Sequence, residues 1–433
     1  MNSENVKKNV PFLKHDVNSC HSYELIKSNK QVLNLPKEQI YNQHHSSIHD
    51  FTLNAKNNYS EYPFTGSSNW YVDFELPKLN YCYHQFVLRY KLYNNSSTDD
   101  INILPIPLMI DRLVLLKNSN VLSEVNNEDI LLYNLHKISN KYNTAHNDFD
   151  YNCQLGFQLD PTNNYLTFVS PFIYKNNTAP GIVNMELPLC LTNSNFLSSA
   201  IKNDLTVRIY FKGNIVVSDI GSNSNIRIAD LKLMLRMRET SHNLYKEPKF
   251  NYQFTKKILT KINMPKLELD TVYNLNITGF NSVASFAFIF IRELDNNIKT
   301  SVVGQSYLYK PVLDDVSICD NTGKNILQSD IILQRDYNRY LMSENFHQFA
   351  QIINRLSYMN YNNGNLFLVP FNYNGNLSYN SGFNGGYSFK ESNDYKLKFT
   401  SRFSANRSVV LNILWFTPAI LDLTNGDLNE ILS

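Results

Sequence analysis

The sequence has no excess charge of one sign: 40 Lys and Arg stand against 38 Asp and Glu in 433 residues. Net charge therefore supplies no general pull toward nucleic acid or a membrane surface. Cysteine is scarce. The five, Cys20, Cys82, Cys153, Cys190 and Cys319, are odd in number, widely spaced and without a CxxC pair. That pattern disfavours a disulfide scaffold or zinc ribbon and points to synthesis in a reducing cytoplasm or nucleus. The most apolar run, VASFAFIFI at 283–291, interrupted only by Ser285, is about half of what a helix needs to cross a bilayer. The opening MNSENVKKNVPFLKHD lacks a secretory apolar stretch, so a soluble protein is expected and the sequons at Asn95, Asn276 and Asn406 read as products of abundant asparagine. No Ser, Cys, His or Asp phrase matches a nucleophile motif. Catalytic, cofactor-binding and metal-ligating residues are each expected to be none.

What the chain has is apolar material at period two. Hydrophobic residues make up 43% and aromatic residues 13%, yet the mean hydropathy is negative, a balance that suits sheets with one wet face. In FVLRYKL, Phe86, Leu88, Tyr90 and Leu92 point one way. LTVRIYF places Leu205, Val207, Ile209 and Phe211 on one face, and LKLMLRMR does the same with Leu231, Leu233, Leu235 and Met237. KLKFTSRF and SVVLNILWF continue the idiom, the latter setting Val409, Leu411, Ile413 and Trp415 on one side, while SFAFIFIREL reads as a strand buried on both faces. Helical spacing is rare. One short helix is expected through Leu131, Leu135 and Ile138 behind Asn127 as cap, a counterpart through Leu333, Tyr337 and Leu341, and a third from Ser343.

The chain also repeats itself. VNNEDILLYNLHKI at 125–138 returns as LQSDIILQRDYNRYL at 327–341, with Asp129-Ile130-Leu131-Leu132 matching Asp330-Ile331-Ile332-Leu333. YHQFVLRYKL aligns with SFAFIFIREL at an offset of 202 and IDRLVLLKNSN with LDDVSICDNTG at 203. LTVRIYFKGN aligns with YKLKFTSRFSAN at an offset of about 190. One order of elements in both halves predicts an all-β fold of two tandem eight-stranded jelly-roll β-sandwiches with short inserted helices. The expected division is a polar N-terminal arm at 1–48, a first jelly roll at 49–242, a linker and second jelly roll at 243–428, and a C-terminal tail at 429–433.

With that organisation, two stretches carry a resemblance: PLMIDRLVLLKNSNVLSEVNNEDILLYNL at 107–135 and GGYSFKESNDYKLKFTSRFSANRSVVLNILWFTPAILDLTNGDL at 385–428. The chain resembles the double jelly-roll major capsid proteins of the viral lineage that includes adenovirus hexon, tailless membrane-containing phages, virophages and Polinton-type viruses, over residues 50–428. The resemblance implies a non-enzymatic structural protein of the virion capsid. It would be a homotrimer forming pseudo-hexameric capsomers that tile an icosahedral shell, with neighbouring capsomers and a penton protein as partners. It implies synthesis in the host cytoplasm, assembly in nucleus or cytoplasm, and no small-molecule substrate or cofactor.

Other features of the sequence have plain structural readings. His45 and His49 in HHSSIH stand at i, i+4, but Ser46, Ser47 and Asp50 are weak helix formers and no third ligand is evident, so a polar arm is the better reading. Gly382, Gly385 and Gly386 in GFNGGYSF lack phosphate-loop spacing and read as a tight loop. Cys82, Cys190 and Cys319 read as small buried hydrophobes. Residues 227–266 hold ten basic against three acidic side chains, a bias that could face a genome or an internal membrane, or be the solvated face of a strand and linker. Two alternatives to a shell protein stand. One is a transient lattice-forming scaffold of the same fold. The other is a two-sandwich carbohydrate-binding or glycan-processing protein, which would use Trp70, exposed tyrosines and the acidic pair Asp314-Asp315.

Overall fold

In the computed structural model, the described residues are 48–56, 61–64, 68–98, 101–104, 106–141, 157–160, 165–168, 172–174, 181–216, 223–239, 249–293, 313–326, 366–371, 385–390, 394–401 and 408–432. Residues 1–47 of the arm expected at 1–48, the counterpart helix expected through Leu333, Tyr337 and Leu341, and the helix expected from Ser343 lie outside them, while Ile48 itself opens a strand.

The first half contributes β1 (Ile48–Asn54), β2 (Glu61–Pro63), β3 (Trp70–Glu75), β4 (Cys82–Asn94), β5 (Ile101–Ile103), helix α1 (Ile106–Met109), β6 (Ile110–Lys117), β7 (Asn120–Asn126), helix α2 (Asn127–Lys141), β8 (Phe157–Asp160), β9 (Tyr165–Phe168), β10 (Phe172–Tyr174), β11 (Gly181–Glu186), β12 (Leu205–Phe211) and β13 (Ile226–Arg238). Two antiparallel sheets carry the sandwich, in the orders β1-β13-β4-β11 and β3-β12-β6-β7. Alternate strands of the chain thus fall in opposite sheets, the winding of a jelly roll. The alternation seen in the sequence is what closes it: Phe86, Leu88, Leu233, Leu235, Val207 and Ile209 are each 0% exposed. Trp70, half-buried against that core, is stacked on Phe211 at 4.4 Å and Tyr62 at 5.1 Å between ring centroids.

The second half supplies β14 (Lys249–Met264), β15 (Val272–Ile277), β16 (Val283–Ala284), β17 (Phe286–Glu293), β18 (Leu313–Cys319), β19 (Leu366–Pro370), β20 (Tyr387–Ser388), β21 (Tyr395–Ser401), β22 (Val409–Thr424) and β23 (Asp427–Leu432). Its sheets run β14-β22-β17-β19 and β15-β21-β18. The first of these repeats the order of the first barrel's β1-β13-β4-β11 sheet, and the second repeats the first three strands of β3-β12-β6-β7, with no counterpart of β7 among the described residues. The stretches that align in the sequence occupy equivalent places: β4 with β17, β6 with β18, and β12 with β21. No named strand before Arg238 pairs with one after Lys249 among the described residues. The centre of the second barrel is Trp415, whose Nε1 donates to Thr260 Oγ1 at 3.0 Å and whose ring stacks on Phe280 at 4.3 Å.

Three local expectations change. Asn126, one residue before the expected cap, caps α2: its Oδ1 accepts from the Asp129 N–H at 2.9 Å, so one otherwise unpaired helix donor is satisfied. β22 is buried on both faces rather than one, with Leu414 and Phe416 as inaccessible as Ile413 and Trp415. Residues 429–433, expected as a tail, belong with 427 and 428 to β23 up to Leu432, which pairs back on β22. The cause is a two-residue turn in which Asn425 (φ 54) and Gly426 (φ 86) are both left-handed, the geometry that asparagine and glycine adopt most readily in hairpins.

Gly426 tests that turn. A Cβ there would lie 2.7 Å from Lys202 Cγ and 3.1 Å from Ala200 O, whereas one at Gly279 (φ 78) would meet nothing within 4 Å. Gly279→Ala should cost only the left-handed backbone penalty of about 1 kcal/mol, and Gly426→Ala about 2–3 kcal/mol. Urea unfolding of the two variants checks the order; equal losses would show that the turn is not pressed against residues 200–202.

Candidate functional site

Side chains with catalytic chemistry do not gather. Among the described residues there is no group of three or more His, Cys, Asp or Glu able to hold a metal, and no helix is long and apolar enough to cross a membrane. His49 sits on β1, 3.6 Å from Glu239, while His45 lies outside the described residues. Asp314 and Asp315 fall at a bulge in β18, where Asp315 is left-handed (φ 52) and accepts from Thr400 Oγ1 at 3.1 Å. An aspartate is one of the few residues that tolerates that backbone, so the pair shapes a strand. Gly385 and Gly386 precede β20, as a loop should, and Gly382 lies outside the described residues. Trp70, packed between rings, offers no exposed platform for a sugar. Cys82 and Cys190 are buried and free and Cys319 is partly buried; Cys20 and Cys153 lie outside the described residues. Burial pushes the Cys82 thiol up to about 11, and burial, then the nearby Glu430 carboxylate, pushes Cys190 up to about 12.

Chemistry concentrates on the outer walls. On the β3-β12-β6-β7 sheet, Arg208 grips Asp73 through two bonds of 2.7 and 2.8 Å and lies 4.2 Å over the ring of Tyr71. Arg112 lies 4.5 Å over Tyr210 and 3.5 Å from Glu124. Tyr71 and Tyr210 pair across the strands with centroids 5.5 Å apart, and Tyr71 is 44% exposed. Tyrosine and arginine are the side chains most enriched where proteins bind proteins.

The wall of the β1-β13-β4-β11 sheet is basic. Cross-strand register sets Lys232 directly opposite Arg89, with Lys91 two residues along. Lys91 pairs with Asp230 at 2.5 Å, and Arg236 with Asp50 at 3.0 Å. Much of the 227–266 charge is neutralised in this way, since Lys256 pairs with Glu430, Lys257 with Asp129 and Lys266 with Glu268. Arg89 and Lys232 are exposed and make no hydrogen bond or ion pair among the described residues.

The third feature is the seam between barrels. Edge strand β7 of the first lies against edge strand β14 of the second. Lys257 on β14 reaches Asp129 at the start of α2 at 3.5 Å, with side chains only 6% and 4% exposed. The β22–β23 hairpin hooks over residues 200–203: Lys202 N donates to Gly426 O at 2.8 Å, Leu428 N to Asn203 Oδ1 at 3.1 Å, and Lys117 Nζ to Asn429 Oδ1 at 2.7 Å. A cavity of about 50 Å³ remains between Tyr133, Cys190, Thr192, Tyr252 and Lys257. That is room for about one or two waters and no substrate. Sequence reasoning missed the seam, although the Asn425-Gly426 dipeptide was a signal for the hairpin that clasps it.

No family model matches the sequence, and no curated protein matches it. Solved structures do. A chain of the PBCV-1 virus capsid superposes with a TM-score of 0.61 at 11% identity, covering 90% of this chain and 97% of that one. The Faustovirus major capsid protein gives 0.52 at 9% identity, covering 92% and 96%. A chain of the Sputnik virophage gives 0.50 at 9% identity, covering 89% and 88%. At these identities the likeness is one of fold, and it runs over nearly the whole length of both chains.

The seam and the thiols yield two tests. Asp129→Ala leaves the Lys257 ammonium buried without its carboxylate and should cost about 3–5 kcal/mol, while Asp129→Leu with Lys257→Met should recover most of that loss. Chemical denaturation of both variants decides; a double variant as weak as the single would mean that the pair is not the issue. The buried thiols should resist iodoacetamide at pH 8 in the native chain and react on unfolding. Because both are raised from 9.0, their share of stability is complete below about pH 9 and lost as pH climbs through 11–12. Denaturation midpoints falling between pH 9 and 11 in the parent, and falling less in Cys82→Ala/Cys190→Ala, are the expected result.

Proposed function

We propose that the chain is a structural major capsid protein, without catalytic residues, whose work is done by contact between copies. The observation that carries this reading is the pair of jelly rolls with one strand order, fused side by side, in a chain that matches a PBCV-1 capsid chain over 97% of the latter's length. A duplicated barrel lets three copies present six similar sectors, which is what a hexagonally packed tile requires. In this reading the protein is a homotrimer in the virion capsid, meeting neighbouring capsomers and a penton protein through its walls and end loops. The Tyr71, Tyr210, Arg112 and Arg208 wall suits such lateral contact. The pairing of Lys256, Lys257 and Lys266 with carboxylates argues against the 227–266 segment as a genome- or membrane-binding strip.

Purified protein should sediment as a trimer and show hexagonal capsomers of threefold shape by electron microscopy. It should also be a dominant component of mature particles. Abundance in immature lattices alone would favour the transient scaffold, and a monomer that binds oligosaccharides would overturn the shell reading.

A further inference from the structure

The outer wall of the β1-β13-β4-β11 sheet carries one row of side chains set by strand register. Asn54 on β1 lies opposite Lys232 on β13, Lys232 opposite Arg89 on β4, and Arg89 opposite Asn184 on β11. Their chain neighbours Leu233, Leu88 and Val183 fill the core, so period two turns this row outward, and all four residues are exposed. Each side chain ends in nitrogen donors, and none of the four makes a hydrogen bond or ion pair among the described residues. Two cations placed directly opposite each other destabilise a strand pair. The carboxylate beside them is already engaged: a bulge between Ala229 and Lys232 holds Asp230 in the left-handed region (φ 52), where it pairs with Lys91 at 2.5 Å. Its hydrogen bond to Lys91 holds the Asp230 carboxyl below the usual carboxylate range.

Arg89, Lys91, Lys232 and Asp230 line a depression of about 280 Å³. Three cations against one carboxylate leave that lining with an excess of two positive charges. Ile182, which is 48% exposed, and the half-buried Met234 give it an apolar part. The volume falls just under the roughly 300 Å³ at which ligand pockets begin, so it suits one small group rather than a polymer. Adjacent strands stand about 4.8 Å apart, which lets a guanidinium and an ammonium close on the same tetrahedral oxyanion. We propose that this depression binds a phosphate monoester, its dianionic oxygens bridging Arg89 and Lys232 and its organic group lying on Ile182 and Met234. A phosphate dianion matches the excess of two charges, whereas a carboxylate or a sulfate ester leaves one cation unmatched. Asn54 and Asn184 stand at the two ends of the row as further donors. The inference concerns a ligand and does not rest on the shell reading.

The test is calorimetric titration of the full-length protein with phenyl phosphate at low salt, where screening is weak. Binding should saturate at one ester per chain and weaken about tenfold or more in Arg89→Gln/Lys232→Gln. That variant relieves a like-charge pair, so its urea midpoint should not fall. Affinity should rise as pH climbs through about 6, where the ester loses its second proton, and phenyl sulfate should bind more weakly. Arg236→Gln removes a cation from the same wall outside the depression and should bind like the parent. A parent without saturable binding overturns the inference. So does an equal loss in Arg236→Gln, which would mean a diffuse field, or phenyl sulfate bound as tightly as the phosphate. Vesicles of phosphatidylcholine with phosphatidic acid decide the source: retention of the parent and not of the double variant places the phosphate on a lipid headgroup, and no retention places it on a soluble ester.

Discussion

A sheet that is apolar on both faces cannot be the outside of anything, and the second barrel contains one. Four large side chains, Phe288, Phe290, Leu414 and Phe416, point away from that barrel's own core and are fully buried all the same. Burial of each is worth about 1.5–3 kcal/mol relative to exposure, which exceeds anything that surface ion pairs on the same wall could supply. The first barrel supplies cover at the β14 edge of this sheet, and the buried Lys257–Asp129 pair holds it to one position. Such a pair adds little net stability compared with apolar residues but is intolerant of a shift, because either charge left alone is costly. At the seam itself, the ion pair fixes the register.

The seam also solves a problem that every sandwich has. Edge strands present unpaired backbone groups that recruit other strands. Setting β7 of one barrel beside β14 of the next screens two edges by side-chain packing, without merging the sheets: the two barrels share no strand pairing among the described residues. Each barrel therefore keeps its own closed winding while losing an exposed edge. The β22–β23 hairpin accepts a hydrogen bond from the Lys202 N–H at Gly426 O and donates one from Leu428 N to Asn203 Oδ1, so this strand is committed to the joint rather than to either core alone.

Much of this was legible in the sequence, and the reason is periodicity. Strands with one wet face, such as Leu231 to Met237 or Leu205 to Phe211, announce themselves because period two is a local property, and the repeat offsets of 202 and 203 correctly paired β4 with β17 and β6 with β18. What was missed depends on long-range company. β22 reads as alternating, Trp415 inward and Phe416 outward, because periodicity cannot say that the second face will be buried as well. The basic run at 227–266 looks like a binding strip until the structure brings Glu430, Asp129 and Asp50 to it from far along the chain. Trp70 looks like an exposed ligand platform until Tyr62 and Phe211 close over it. The shift of the helix cap from Asn127 to Asn126 is a different kind of miss, since two adjacent asparagines are equally good caps and only the end of β7 chooses between them.

The same distinction explains why the proposed function rests on walls rather than on a cleft. A cleft needs polar groups converging on a space, and the space between the barrels holds only about 50 Å³. A wall needs side chains that are ordered before contact, since immobilising a long side chain on binding costs roughly 0.5–1.5 kcal/mol. Arg208 and Arg112 meet that requirement unaided: each is held by a carboxylate on a neighbouring strand and by a tyrosine face beneath its guanidinium. Arg89 and Lys232 are the opposite case, two cations opposed across the strands with only the field of Asp230 beside Lys232 and no hydrogen bond or ion pair among the described residues. Such an arrangement is a cost to the strand pair, so the two walls of the first barrel differ: one holds its cations in place with carboxylates and rings, and the other leaves two of them without a bond among the described residues.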